Sequence, residues 1–130
     1  MTVTLPIYYT QEFKTKSNKT SLVGMNLYRN AHHFLQNNMK KHFHSLVIEQ
    51  LPPVVEVIQQ FTVTYKLYYK SPVCDASNIV ALIEKFYLDA IKEHGLIIDD
   101  NVNYHISSSW EVIAQDKVNP RIEITLKELK

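Results

Sequence analysis

The run from Cys74 to Asn101 opens CDASN and closes GLIIDDN, with Asp75 at its head and Asp99 and Asp100 at its end. It reads as a strand end, a helix, a glycine turn and a second acidic end. A carboxylate at each end of such a unit can converge on one point if the flanking strands are neighbours in one sheet. Converging carboxylates are what a hard divalent cation such as Mg2+ binds. Beside a phosphodiester, such an ion activates water and stabilises the leaving oxygen. The segment therefore points to metal-dependent phosphoryl chemistry. Each residue also has a plainer use. Asp75 or Ser77 can cap the helix that starts near Ala76, and Asp99-Asp100-Asn101 can be an ordinary turn. Neighbours on an extended backbone face opposite ways, so Asp99 and Asp100 do not easily ligate one ion together.

The elements that must hold these residues follow from pattern. Val3 to Tyr9 is short, apolar and interrupted by Pro6, an edge strand. Gln11 to Gly24 is polar and rich in Lys, Ser, Thr and Asn, a loop. Asn26 to Ile48 repeats apolar residues at helical spacing, with Asn26 as N-cap, and Pro52-Pro53 closes the unit. Phe61 to Tyr69 alternates and reads as a half-buried strand. Ala76 to His94 is a second helix with Ile79, Leu82, Ile83, Phe86, Ala90 and Ile91 as its apolar stripe, and Gly95 suits its C-terminal turn. Val102 to Val112 and Arg121 to Leu126 read as strands, and the polar linker Ala114 to Pro120 permits a hairpin between them. The order is β-α-β-α-β-β: a single α+β domain over residues 1–130, helices packed on one mixed sheet.

Composition sets the frame. The chain has 130 residues, 45% hydrophobic and 21% charged, enough for a core without disulfides. Cys74 is the one cysteine, so no intrachain disulfide forms, and a small buried residue is its default reading. No apolar run approaches the ~20 residues that span a membrane. The N-terminus MTVTLPIYYT lacks a basic region and an apolar signal core. A cytoplasmic protein is the expectation. The formal net charge of +1 neither demands nor excludes nucleic acid, so the distribution of charge matters more.

Basic residues do cluster. Lys14, Lys16 and Lys19 lie in the N-terminal loop, and Arg29, Lys40 and Lys41 on the first helix. Lys66 and Lys70 flank Tyr68 on the non-core face of the central strand, and Lys70 leads toward Asp75. Positive charge with an aromatic beside an acidic site suits a phosphate backbone, and a solvated sheet face is the plain alternative. Tyr8, Tyr9, Tyr68, Tyr69 and Tyr104 suit a dimer interface or DNA equally. The histidine pairs His32-His33 and His42, His44 lack the i, i+4 spacing of a zinc pair, and solvent or DNA contact is expected for them.

At Asp75-Ala76-Ser77-Asn78, the helix, Gly95 and Asp99-Asp100, and again at the closing RIEITLKEL, the chain resembles the RusA family of Holliday junction resolvases. NLYRNAHHFLQNNMKKHF is similar to the first helix of the family's phage members. The resemblance implies a RusA-like fold and a homodimer that binds four-way or branched DNA junctions. It also implies paired symmetric nicks in a reaction that uses Mg2+, with Mn2+ as substitute. A phage or prophage protein working in the host cytoplasm fits that picture. By motif match, Asp75, Asn78 and Asp100 take the family's catalytic positions, with Asp99 beside Asp100 and Asp75, Asp99 and Asp100 as metal ligands. Lys14, Lys16, Lys19, Arg29, Lys66 and Lys70 become the DNA-binding residues. The family's second Asp is Ser77 here, which brings no negative charge. The family's Lys position holds Ala81, so Lys85 takes that role if the extra helical turn lies early in the helix; otherwise Lys85 pairs with Asp89. Two other readings stand beside the nuclease: a RusA-like junction binder that no longer cuts, and a phage interaction module on the same fold.

Overall fold

A computed structural model describes residues 1–129 and builds an α+β domain on a mixed sheet. In chain order the elements are β1 (Thr2–Pro6), β2 (Tyr8–Gln11), β3 (Lys19–Leu22), α1 (Met25–Asn30), α2 (His33–Gln50), β4 (Gln60–Tyr69), α3 (Ala76–Glu93), β5 (His105–Gln115) and β6 (Arg121–Leu129). The main sheet runs β1-β6-β4-β5, and β2 and β3 form a separate hairpin. Among the described residues no helix is long and apolar enough to cross a membrane.

The central strand forms as its alternation dictates. Phe61, Val63, Tyr65 and Leu67 are buried, while Thr62, Thr64, Lys66 and Tyr68 face the other side. α3 is equally direct. Its apolar stripe widens to nine buried residues, because the helix lies across the sheet and against α1 and α2. Its end is fixed by Gly95, at φ 83°, a left-handed conformation that favours glycine. Leu96 N–H donates to the carbonyl of Ile91 and Gly95 N–H to that of Lys92, which satisfies the last turn.

Five expectations about the elements need correction. The strand expected over Val3–Tyr9 breaks at Ile7, where β1 leaves the main sheet and β2 starts the hairpin. The loop expected over Gln11–Gly24 contains β3, since Lys19–Leu22 finds a partner in β2 that its polar composition concealed. The first helix is two, because Ala31 and His32 are both extended. His32 rather than Asn26 caps α2, its Nδ1 accepting Phe34 N–H at 3.3 Å. Lastly, β5 and β6 do not form a hairpin: β4 lies between them, parallel to β5 and antiparallel to β6.

Candidate functional site

Asp75 is the N-cap of α3. Its Oδ1 accepts the Asn78 N–H at 3.3 Å and the Ser77 hydroxyl at 2.9 Å. Capping and a ligand role can coexist, and the carboxylate is exposed. Beside it, burial first and the Asp75 charge second push the Cys74 thiol up, so this cysteine is no thiolate nucleophile. Cys74 is half-buried, not buried as its size led us to expect. With Leu67, Tyr69, Pro72, Ala76 and Val112 it lines a cavity of about 220 Å3.

Asn78 is engaged with the start of α1. Its Oδ1 accepts the backbone N–H of Asn26 at 2.9 Å, and its amide packs against Gly24. It ties the start of α1 to the start of α3 and is a positioning residue.

Asp99 and Asp100 are not at this site. β4 and β5 are neighbours, as convergence requires, but they are parallel. Asp75 therefore follows the end of one strand, and Asp99-Asp100 precedes the start of the next. α3 lies between them, 18 residues or about 27 Å long at the helical rise of ~1.5 Å per residue. Asp99 is held by Lys92 Nζ at 2.8 Å, by the Asp100 N–H at 2.8 Å and by the Asn101 amide at 2.9 Å. The Lys92 hydrogen bond, then that from the Asp100 backbone, holds its carboxyl well below the usual carboxylate range. Among the described residues no three His, Cys, Asp or Glu side chains are grouped to hold a metal ion. Within one chain, Asp75 and the Asp99-Asp100 pair, the ligands expected from the motif, stand at opposite ends of α3.

Lys85 lies ten residues beyond Asp75, about 15 Å along the helix. It pairs with Asp89 at 3.5 Å, the ordinary i, i+4 contact. The expected catalytic role is not supported by this placement.

The lysines divide. Lys70 follows β4 at the Asp75 end, its Nζ 5.7 Å from the centre of the Tyr8 ring. Lys117, absent from the sequence expectation, shares a surface depression with Lys70, Ser71 and Gln115. Only the topology reveals it, because the β5–β6 connection must pass the end of β4. Lys66 stands in register between Glu123 on β6 and Glu111 on β5, so carboxylates flank it on both sides. Arg121 and Lys127 on β6 share that sheet face with Lys66 and the two glutamates, so both signs of charge are mixed there. Lys14, Lys16 and Lys19 are exposed at the tip and far strand of the β2–β3 hairpin, with Lys16 Nζ 4.4 Å over the Phe13 ring. Arg29 is exposed in the last turn of α1. Arg121 is already engaged: it stacks on Tyr68 at 3.9 Å and binds Asp116 and Glu123.

His44 is not a solvent or DNA contact. It is buried, and its Nδ1 lies 3.0 Å from Glu93, joining α2 to α3. His42 packs edge-on against Tyr9 and Phe43. No family model matches the chain, and no curated protein matches it.

Proposed function

We propose that this protein is a RusA-like endonuclease that binds branched DNA, four-way junctions above all, in the cytoplasm. The observation that carries the reading is the shared position of Asp75, Lys70 and Lys117 at one end of the sheet. Lys70 and Lys117 line one surface depression there, a place where a phosphate backbone can dock, and the exposed Asp75 follows Lys70 by five residues in the chain. The CDASN and GLIIDDN segments supply the family resemblance that turns phosphate binding into phosphodiester cleavage.

A second reading has its own support. With about 27 Å of helix between Asp75 and Asp99-Asp100, a single chain offers one carboxylate to the backbone. A junction binder that does not cut fits that arrangement.

The test is a labelled four-way junction and a linear duplex of the same sequence, incubated with protein in Mg2+ and in Mn2+. Paired nicks on the junction alone, lost in Asp75→Asn and in Asp100→Asn, establish the endonuclease. Salt-sensitive junction binding without nicks in either metal establishes the binder. No preference for the junction over duplex rejects both.

A further inference from the structure

We infer that the pocket between β2 and α2 takes a single unpaired nucleobase, guanine above all, from DNA whose backbone docks at Lys70 and Lys117. The inference rests on the branched-DNA reading, which it narrows to branches that carry an unpaired base.

The pocket holds about 480 Å3, within the roughly 300–1,000 Å3 of small-molecule sites. The run from Tyr8 to Glu12 forms one wall, and Asn38 and His42, one turn apart on α2, form the other. Consecutive residues of a strand line a space with its edge, since its faces show alternate residues. This edge is open, because β2 pairs with β3 alone. The phase of the ladder tells which groups it offers. Val23 N–H donates to the Ile7 carbonyl at 2.8 Å, so Ile7 and Val23 are a hydrogen-bonded pair. Antiparallel pairs alternate between bonded and unbonded. Tyr9 and Ser21 are therefore bonded, while Tyr8 with Leu22 and Thr10 with Thr20 are not. Tyr8 and Thr10 thus turn backbone N–H and C=O outward, to the pocket side.

The side chains suit a base. His42 is exposed, and its ring meets that of Tyr9 at 5.3 Å and 65°, an open corner of π surface rather than a closed stack. Unpaired bases stack on such rings and hydrogen-bond along their Watson–Crick edges. Glu12 and Asn38, both exposed, stand beside the rings. Burial first and the Glu12 charge second push the Tyr9 phenol up, so its hydroxyl stays a donor near an acceptor carboxylate. An ionised carboxylate only accepts, and it accepts two parallel donors well. Guanine presents two such donors side by side on its Watson–Crick edge. Thymine presents one donor between two carbonyl oxygens, which a carboxylate repels.

Charge separates the base from its phosphate. The described residues lining this pocket include no Lys or Arg, and the Glu12 carboxylate turns phosphate away. The cations are next door. Tyr8 borders both this pocket and the depression of Lys70 and Lys117, with Lys70 Nζ 5.7 Å from its ring centre. A phosphate held by the two lysines leaves its own base, or the next one, near Tyr8 at the mouth of the pocket.

Equilibrium binding of the full chain tests this, on four-way junctions and linear duplexes that carry one unpaired nucleotide or none. Unpaired guanine at the branch should tighten binding about tenfold over unpaired thymine and over the fully paired junction. Glu12→Gln keeps the shape of an exposed side chain and should erase the difference between guanine and thymine. Equal affinity for all four bases, or a difference that survives Glu12→Gln, overturns the pocket. Should the variant misfold, a crosslink gives the answer. 6-Thioguanine at the unpaired position should photocrosslink within Tyr8 to Glu12 or at Asn38 or His42, and crosslinks confined elsewhere overturn the placement.

The same binding series separates this inference from the reading beneath it. Unpaired guanine preferred as strongly in a duplex as at a branch sinks the branched-DNA reading and leaves the pocket standing. A junction preference blind to the unpaired base does the reverse. No binding to any of these DNAs overturns both.

Discussion

Asn78 Oδ1 accepts the backbone N–H of Asn26 at 2.9 Å, and a Cβ on Gly24 would collide with the same amide. The glycine is required by this close approach, since its backbone is extended at φ −173°. Asn78→Ala should lower stability by about 1–2 kcal/mol, the cost of an orphaned N–H. Gly24→Ala should cost at least as much. The double variant should cost less than the sum, because removing the amide relieves the collision. Urea unfolding of the four proteins measures this, and strict additivity would refute the clamp.

Acid should expose the Lys92–Asp99 tie. The Asp99 carboxyl titrates below its ordinary 3.8 in the folded chain, chiefly through Lys92. Its contribution is therefore complete above the unfolded value and is lost as pH falls toward the folded one. Asp99→Asn should melt lower than wild type at pH 6, with the gap narrowing below pH ~4. Melts across that range check it; a gap that widens in acid contradicts the assignment.

Lys85→Ala should change little. Its one ion pair among the described residues is with Asp89, at 3.5 Å on an exposed face, and stability should move by less than ~0.5 kcal/mol. Any junction nicking should persist at the parental rate. A collapse of nicking with intact binding would return Lys85 to the catalytic machinery.

Tyr87 is fully buried, and its hydroxyl has no hydrogen-bond partner among the described residues. Burial pushes the phenol far above its ordinary range, so it stays neutral. Tyr87→Phe removes an orphaned polar group at constant shape and should be neutral or stabilising by up to about 1 kcal/mol. Guanidinium unfolding decides; a loss beyond ~1 kcal/mol would mean the hydroxyl is bonded.

Lys70→Ala and Lys117→Ala should each weaken junction binding and reduce its log–log salt slope by about 1. Lys66→Ala, between two glutamates, should reduce it less. Equal slopes in all three would place the DNA elsewhere.

The sequence made β4 and α3 legible because each buries one face, and burial writes a period into the residues. It hid the break at Ala31–His32, which no proline or glycine marks, and β3, whose polar residues look like loop. It also hid the insertion of β4 between β5 and β6, since proximity along the chain favours a hairpin. The acidic residues were visible as types, and neighbouring strands were a sound condition for their meeting. Strand direction was the missing variable. A parallel pair joined by one helix sends Asp75 and Asp100 to opposite ends, and no spacing between them encodes that.

The place of β6 in the sheet has a consequence for how the chain is made. It is the last strand, yet it lies between β1 and β4, which do not touch as strands without it. During synthesis β1 and β4 must wait with open edges until β6 emerges, about 50 residues after β4 ends. At ~5–20 residues per second that is roughly 3–10 s of exposure. A ribosome stalled before Arg121 would leave a sheet split in two, with apolar strands available to any passing chain.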